Sequence, residues 1–466
     1  MASMIASADN SAPASNSTNR FVLHLLFCMI CVISLTRLML LARTFGDNDN
    51  SRILTMRAIA ENGTFQIGER LEFADGTFLD TGLLFEKGQR LSIDVVLNPK
   101  PFWTNPSPVP GEPHARKAYY SSKPPMLPLL MAVEYYCLRH LLAWDWTTHR
   151  AWILRALLMT WNVMPWLLVL WFSLSILECQ TQDLWVQVFW LGLASFGTMI
   201  FSFETTINNH VVAAWSTGFA LVLFLRKETL HVRDWFAIGL LAGFTMANEL
   251  PAASMVLLLM AYAFYRYGWL AASVLILGVI PFLAVEEGLI WLSLGDWQPA
   301  YAKFGTVWYN FPGSYWENPQ EIDALQQPWF VYCFHLTLGH HGWFSLTPAF
   351  LLACLSWQNQ RSEYQRLQVV SGMSWLLFAV VLGFYVLKTN NYGGWTCGPR
   401  WLMWLIPFFL WCSLSGIKQL RHTVLGRSFA MAALSISIFS AWYPGINPWQ
   451  HPWLFQWARF VGWIDY

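Results

Sequence analysis

The feature that most limits how this chain can fold is the repeated occurrence of apolar blocks about 18–25 residues long, such as "FVLHLLFCMICVISLTRLMLLA" at 21–42. A helix of that length crosses a hydrocarbon core of roughly 30 Å, and only helices or closed barrels satisfy their backbone there. Composition agrees, since 56% of the 466 residues are hydrophobic and 12% are charged, against about a quarter charged in soluble domains. The expectation is an all-α polytopic membrane protein with about 11–12 transmembrane helices. The expected spans are 21–43, 125–143, 152–177, 184–203, 209–225, 235–248, 252–265, 269–294, 343–357, 368–387, 401–416 and 428–443.

Residues 1–20 are small and polar and are expected to be disordered. A transmembrane domain would then run from 21 to 443, interrupted by long loops at 44–123 and 295–342, with a tail at 444–466. The first block is too long for a signal-peptide core and is read as an uncleaved span. Lys and Arg mark 226–233, 265–268, 358–366 and 418–427 as cytoplasmic, which places 295–342, 388–400 and the tail outside. The count from the N-terminus leaves one span too many, so 125–143 is either interfacial or re-entrant, or a later segment does not cross. A net charge of +1 excludes the concentrated basic surface that nucleic acid requires.

Loop 44–123 opens with "GDNDNSRILTMRAIAENG". Ile53, Met56, Ile59 and Ala60 share one helical face and Asn62-Gly63 gives a stop, which suits an amphipathic helix on the membrane surface. Turn signals and β-prone residues follow, then a proline-rich stretch. Polar side chains at membrane depth are costly and commonly functional, and they fall in clusters: Asp47, Asp49 and Arg52; Ser122 and Lys123 before a Pro pair; Glu204, Asn208, Asn209 and His210; Asn391, Tyr392, Trp395 and Arg400. His335, His340 and His341 add imidazoles in the second long loop. Each has a plain structural alternative. Asp49 would cap its helix, Lys123 would anchor at the interface, and the Glu204–His210 stretch would be a polar turn. Taken together, cations suit a phosphate, amides and carboxylates suit sugar hydroxyls, and a carboxylate suits proton removal from an alcohol.

At these residues the chain resembles the GT-C membrane glycosyltransferases, which include protein mannosyltransferases, aminoarabinose transferases and RgtA/B/C/D-like proteins. "GDNDNSRILTMRAIAENGTF" resembles the acidic stretch after their first span, and "SSKPPMLPLL" resembles their Lys-Pro-Pro element. "INNHVVAAW", "GHHGWFSLTP" and "NYGGWTCGPRWLMWLIP" are similar to pieces of planctomycete-type GT-C-like proteins. The resemblance implies a GT-C-like bundle with a large extracytoplasmic loop after the first helix. It also implies an enzyme that transfers sugar from a polyprenyl-phosphate donor to a glycan, lipid or protein acceptor. Asp49, or else Asp47, would be the base. Lys123, with Arg400 and Arg52, would hold the donor phosphate. Glu204, Asn208, Asn209, His210, His340, His341, Asn391, Tyr392 and Trp395 would contact sugar or acceptor. It places the chain in a bacterial inner membrane with the site on the extracytoplasmic side. The acidic pair is spread into "DND", Ser122 replaces a frequent Glu, and Asn208 or Asn209 stands where the family has a further Asp. No cofactor is expected, and no complete ligand set supports a divalent metal. The alternatives are a transporter or flippase for lipid-linked glycans, or an inactive GT-C-like scaffold.

Overall fold

A computed structural model describes residues 14–227, 229–358, 365–389 and 391–466. Helix α1 (Ala14–Leu40) starts inside the segment expected to be disordered; residues 1–13 and much of the basic segment 358–366 lie outside the described residues. After α1, helix α2 (Asp47–Asn62) leads into strands β1 (Gly68–Phe73), β2 (Phe78–Thr81), β3 (Phe85–Glu86), β4 (Gln89–Arg90), β5 (Val95–Leu97), β6 (Trp103–Thr104) and β7 (Pro113–Ser121). The remaining helices are α3 (Met126–Leu142), α4 (Trp146–Leu158), α5 (Met164–Gln180), α6 (Leu184–Phe196), α7 (Met199–Phe203), α8 (Asn209–Arg226), α9 (Val232–Asn248) and α10 (Ala253–Tyr267). They continue with α11 (Trp269–Leu294), α12 (Trp329–Thr337), α13 (Trp343–Leu346), α14 (Gln365–Lys388), α15 (Ile406–Leu420), α16 (Val424–Trp442) and α17 (Trp453–Phe460).

The chain is a multi-pass membrane protein: among the described residues, eight helical segments are long and apolar enough to cross a bilayer. The expected spans 125–143, 209–225, 235–248 and 343–357 fall outside that count for reasons of length and polarity. Helices α3 and α9 have 17 residues each, about 26 Å at 1.5 Å per residue and at the lower limit for a spanning helix. Helix α8 carries buried Asn209, His210, Ser216 and Thr217, which dilute its hydropathy. The block at 343–357 folds as the short α13 followed by 3-10 turns from Pro348 to Gln358. Where helices pack most closely, glycine allows it. A Cβ on Gly239 of α9 would lie 2.1 Å from the Leu275 carbonyl oxygen of α11, so small residues bring these two backbones into contact.

The membrane-spanning part is all-α as expected, and loop 44–123 adds a five-stranded sheet that runs β2-β1-β7-β5, with β6 also on β7. These strands pair antiparallel. Helix α2 ends where expected, with Gly63 at φ 66° donating its N–H to the Ala58 and Ile59 carbonyls. It does not lie on a surface. Ile53 and Met56 pack with Met126, Met131 and Tyr135 of α3, while Leu54 and Ala58 pack with Val95, Leu97, Tyr119 and Phe311 under the sheet. With both flanks covered, the first turns of α2 place their polar residues in the junction between sheet and membrane helices.

Candidate functional site

Gly46, just before α2, sits so close to Trp449 that a Cβ would meet the indole at 2.6 Å. Asn48 and Arg52 are one turn apart and therefore neighbours on the helix surface. Arg52 Nη1 donates to the Asn48 carbonyl at 3.1 Å and also to Asn48 Oδ1. Asn48 Nδ2 in turn donates to Asp94 Oδ2 at 3.3 Å, and Asp94 Oδ1 receives Lys123 Nζ at 2.7 Å.

Sheet register explains this last pair. Val95 of β5 is opposite Ser121 of β7, so Asp94, just before β5, meets Ser122, whose N–H donates to the Asp94 carbonyl at 3.0 Å, and lies within reach of Lys123, the next residue. Asp94 is held in place by its neighbours: Ser51 Oγ donates to its carbonyl at 2.7 Å, and its own N–H donates to Ser92 Oγ at 3.1 Å.

On its other side Arg52 Nη2 donates to Asn209 Oδ1. Asn209 Nδ2 donates to the Asn248 carbonyl at 2.6 Å and to Glu249 Oε1 at 2.8 Å, and the same carboxylate oxygen contacts His210 Nδ1. Arg400 Nη1 lies 3.2 Å from His210 Nε2. Arginine only donates, so Nε2 accepts and the imidazole proton sits on Nδ1, facing Glu249. Arg400 also donates twice to the Gly393 carbonyl, at 3.1 and 2.8 Å. Its guanidinium lies 5.0 Å from the Trp449 ring centroid, and Trp449 Nε1 donates to Asp49 Oδ1 at 3.2 Å. The network thus closes on the helix where it began.

The charges in this junction are under strain. Burial raises the Asp49 carboxyl to about 8, although Arg52, the Trp449 N–H, the Phe45 backbone and Arg400 all pull it down. Burial also raises Asp47, against the Ile93 N–H that its carboxylate accepts at 2.9 Å. Asp94 behaves oppositely: burial works to raise it, but Lys123, Arg400 and Arg52 hold it below the usual carboxylate range. Burial lowers Lys123, and Arg400 and Arg52 lower it further against the pull of Asp94. Three cations therefore sense one another, and Arg52 Nε is buried with no partner. An oxyanion arriving here would find cationic donors already aimed, among them the unpartnered Arg52 Nε.

Of the residues expected from sequence, Asp49, Arg52, Lys123, Asn209, His210 and Arg400 meet in this network. Asp47 stands at its edge, its carboxylate engaged with Ile93. Asn391 acts indirectly: its Oδ1 accepts the N–H groups of Gly393 and Gly394 at 2.6 and 2.5 Å, fixing the carbonyl that Arg400 grips. The others lie elsewhere. Glu204 is paired with Arg37 at 2.7 Å and accepts from Ser34 at 3.2 Å, tying α1 to the end of α7. Asn208 caps α8 through the Val211 N–H at 2.8 Å. His340, His341 and Tyr392 form an aromatic cluster in which His341 stacks on Tyr392 at 5.1 Å and His340 Nε2 contacts the Tyr466 hydroxyl at 3.0 Å. Trp395 is half-exposed beside His451. Asp94, Glu249, Asn48 and Trp449 belong to the network and were not anticipated. Among the described residues, no group of three or more His, Cys, Asp or Glu is placed to hold a metal ion.

No protein-family model matches the chain, and no curated protein matches it either. Among solved structures, it is similar to ArnT from Cupriavidus metallidurans in the apo state, with a TM-score of 0.48 and 11% sequence identity over 89% of this chain. The chain covers 62% of that protein.

Proposed function

We propose that this protein is a GT-C-type membrane glycosyltransferase that moves a sugar from a polyprenyl-phosphate donor to an extracytoplasmic acceptor. The observation that carries the reading is the convergence of Arg52, Lys123 and Arg400, from three distant segments, on one buried junction that also holds Asp49. Beside Lys123 is a slot lined by Phe65, Pro124, Ile290, Leu294 and Tyr301, so a cation adjoins apolar surface as an anionic lipid head requires. In this reading Lys123 and Arg400 bind the phosphate, and Arg52 contributes its unpaired Nε. Together they stabilise the charge that grows on the leaving phosphate as the anomeric bond breaks. Asp49 takes the proton of the attacking hydroxyl, which enters from the opposite face and inverts the anomeric centre. Asp47 is spoken for by the Ile93 N–H, which favours Asp49. His210 and Asn209 set the orientation of the two arginines. In this reading the site faces the extracytoplasmic side of a bacterial inner membrane, among membrane lipids and with no nucleic-acid partner, and the Lys and Arg of the opposite loops support that orientation.

The test is transfer by the purified protein in detergent from labelled polyprenyl-phosphate sugars to an extract containing glycan, lipid and protein acceptors. Lys123→Ala is expected to raise donor KM about tenfold or more, equivalent to about 1.4 kcal/mol of lost binding. Asp49→Asn is expected to abolish turnover while donor still binds. Transfer that survives both changes unaltered rejects the assignment.

A further inference from the structure

The sheet in loop 44–123 carries a second cavity, outside the charged junction and unused by the proposed chemistry. Alternation along the strands puts Arg70 and Glu72 of β1 on one face. Register adds Asp80 and Lys117 opposite Arg70, and Phe78 opposite Glu72. The end of this face nearest Tyr119 is sealed by the core beneath α2. The other end opens into a cavity of about 380 Å³ walled by the 307–312 segment, with Asn310 and Phe311 facing the strands. That volume lies within the range of small-ligand sites.

The lining has a definite chemical character. Its charges are matched in pairs: Arg70 Nε and Nη2 donate to Asp80 at 2.7 and 2.8 Å, and Lys117 Nζ donates to Glu72 at 2.7 Å. Each cation is neutralised by a carboxylate on the next strand, so an anion gains little here. What remains are polar atoms held at fixed positions. Asp80 leaves Arg70 Nη1 over, Glu72 keeps a second carboxylate oxygen, and His114 Nδ1, which also borders the cavity, is buried without a partner. The Arg70 guanidinium lies 3.8 Å from the Phe78 ring centroid, which fixes that ring while 43% of the Phe78 residue stays exposed. A rigid aromatic ring, rimmed by donors and acceptors that sum to no net charge, is complementary to a sugar ring with apolar C–H faces and hydroxyl edges.

We propose that this cavity is a binding site for a neutral saccharide, separate from the charged junction and functional whether or not the junction catalyses transfer. The sugar stacks on Phe78, and its hydroxyls bridge Arg70, Glu72, Lys117 and His114. On a glycan-modifying enzyme it would hold a stretch of acceptor away from the reacting end.

The test uses the full-length protein in detergent and measures saturation-transfer NMR with mannotetraose, maltotetraose, cellotetraose and chitotetraose, with tetragalacturonate as the charged comparator. At least one neutral oligosaccharide is expected to bind in the millimolar range or tighter. Phe78→Ala is expected to weaken it about tenfold or more, and Lys117→Met, which removes one rim donor, is expected to weaken it less. Unfolding midpoints of both variants are measured alongside, and His114→Gln, at the cavity wall, supplies a second weakening variant that leaves the Arg70 stack intact. No binding by any neutral oligosaccharide overturns the proposal. So does preferential binding of tetragalacturonate, or neutral-sugar binding that all three folded variants retain at full strength. Because the readout is binding alone, a failed transfer assay does not affect it.

Discussion

Replacing Asp49 by Asn should make the protein more stable while removing its proposed activity, and the size of the gain follows from the site. The Asp49 carboxyl is raised from 3.8 to about 8 by burial. Below pH 3.8 it is protonated in both folded and unfolded chains and contributes no difference. As pH rises above that, the unfolded chain ionises while the folded one holds its proton, so stability is lost progressively until the folded group also titrates near 8. At about 1.4 kcal/mol per tenfold change in proton affinity, the penalty is about 4 kcal/mol at pH 7 and about 6 kcal/mol above pH 8. Asparagine has no proton to lose, and its Oδ1 still accepts the Trp449 N–H. Asp49→Asn should therefore match the wild type near pH 4 and exceed it by several kcal/mol at pH 9. Equilibrium unfolding in mixed detergent micelles, followed by tryptophan fluorescence across that range, provides the measurement. Parallel pH curves for the two proteins, or a loss of stability in the variant at high pH, would refute the claim that this carboxyl is confined at an energetic cost.

Further outcomes follow from the same geometry. If Asp49 is the base, kcat should climb about tenfold per pH unit below pH 8 and level off above it, as a rate profile in buffered detergent would record. Glu204→Gln leaves Arg37 buried without its counter-charge and should cost about 3–5 kcal/mol in unfolding experiments, with donor KM unchanged because Glu204 lies in a separate network. Gly239→Ala places a methyl group against the Leu275 carbonyl oxygen and should cost about 1–3 kcal/mol as α9 and α11 are forced apart; an unfolding midpoint equal to that of the wild type would contradict the close packing.

Hydropathy made most of the membrane helices legible, because a span leaves a long uninterrupted record in sequence. Helices α3, α8 and α9 are harder to read that way, because they are short or carry buried polar residues. The stop of α2 at Gly63 was readable from local backbone chemistry. The burial of α2 on both flanks was not, since that depends on a sheet whose strands are short and irregular. The cations of the junction drew notice because charge near apolar blocks is conspicuous. Their partners were silent. Asp94 sits in "SIDVV" with no periodic signal, and only the pairing of β5 with β7 brings it to Lys123. Glu249 sits in "NELP" between two apolar blocks, with no local signal that points to the junction. Trp449 is one of 29 tryptophans, and nothing local distinguishes it from those that meet lipid.

The contact of Trp449 with Gly46 and Asp49 also bears on how the protein is made. Helix α2 is synthesised well before the arginine that completes the cation cluster and 400 residues before the indole that closes over Asp49. Until then Arg52 and Asp49 have few of their final neighbours, and the energetic cost of drawing them out of water is not offset. The junction therefore closes only after Arg400 and Trp449 have been made, and a ribosome stalled before them would leave a chain anchored in the bilayer with its charged centre still open to water.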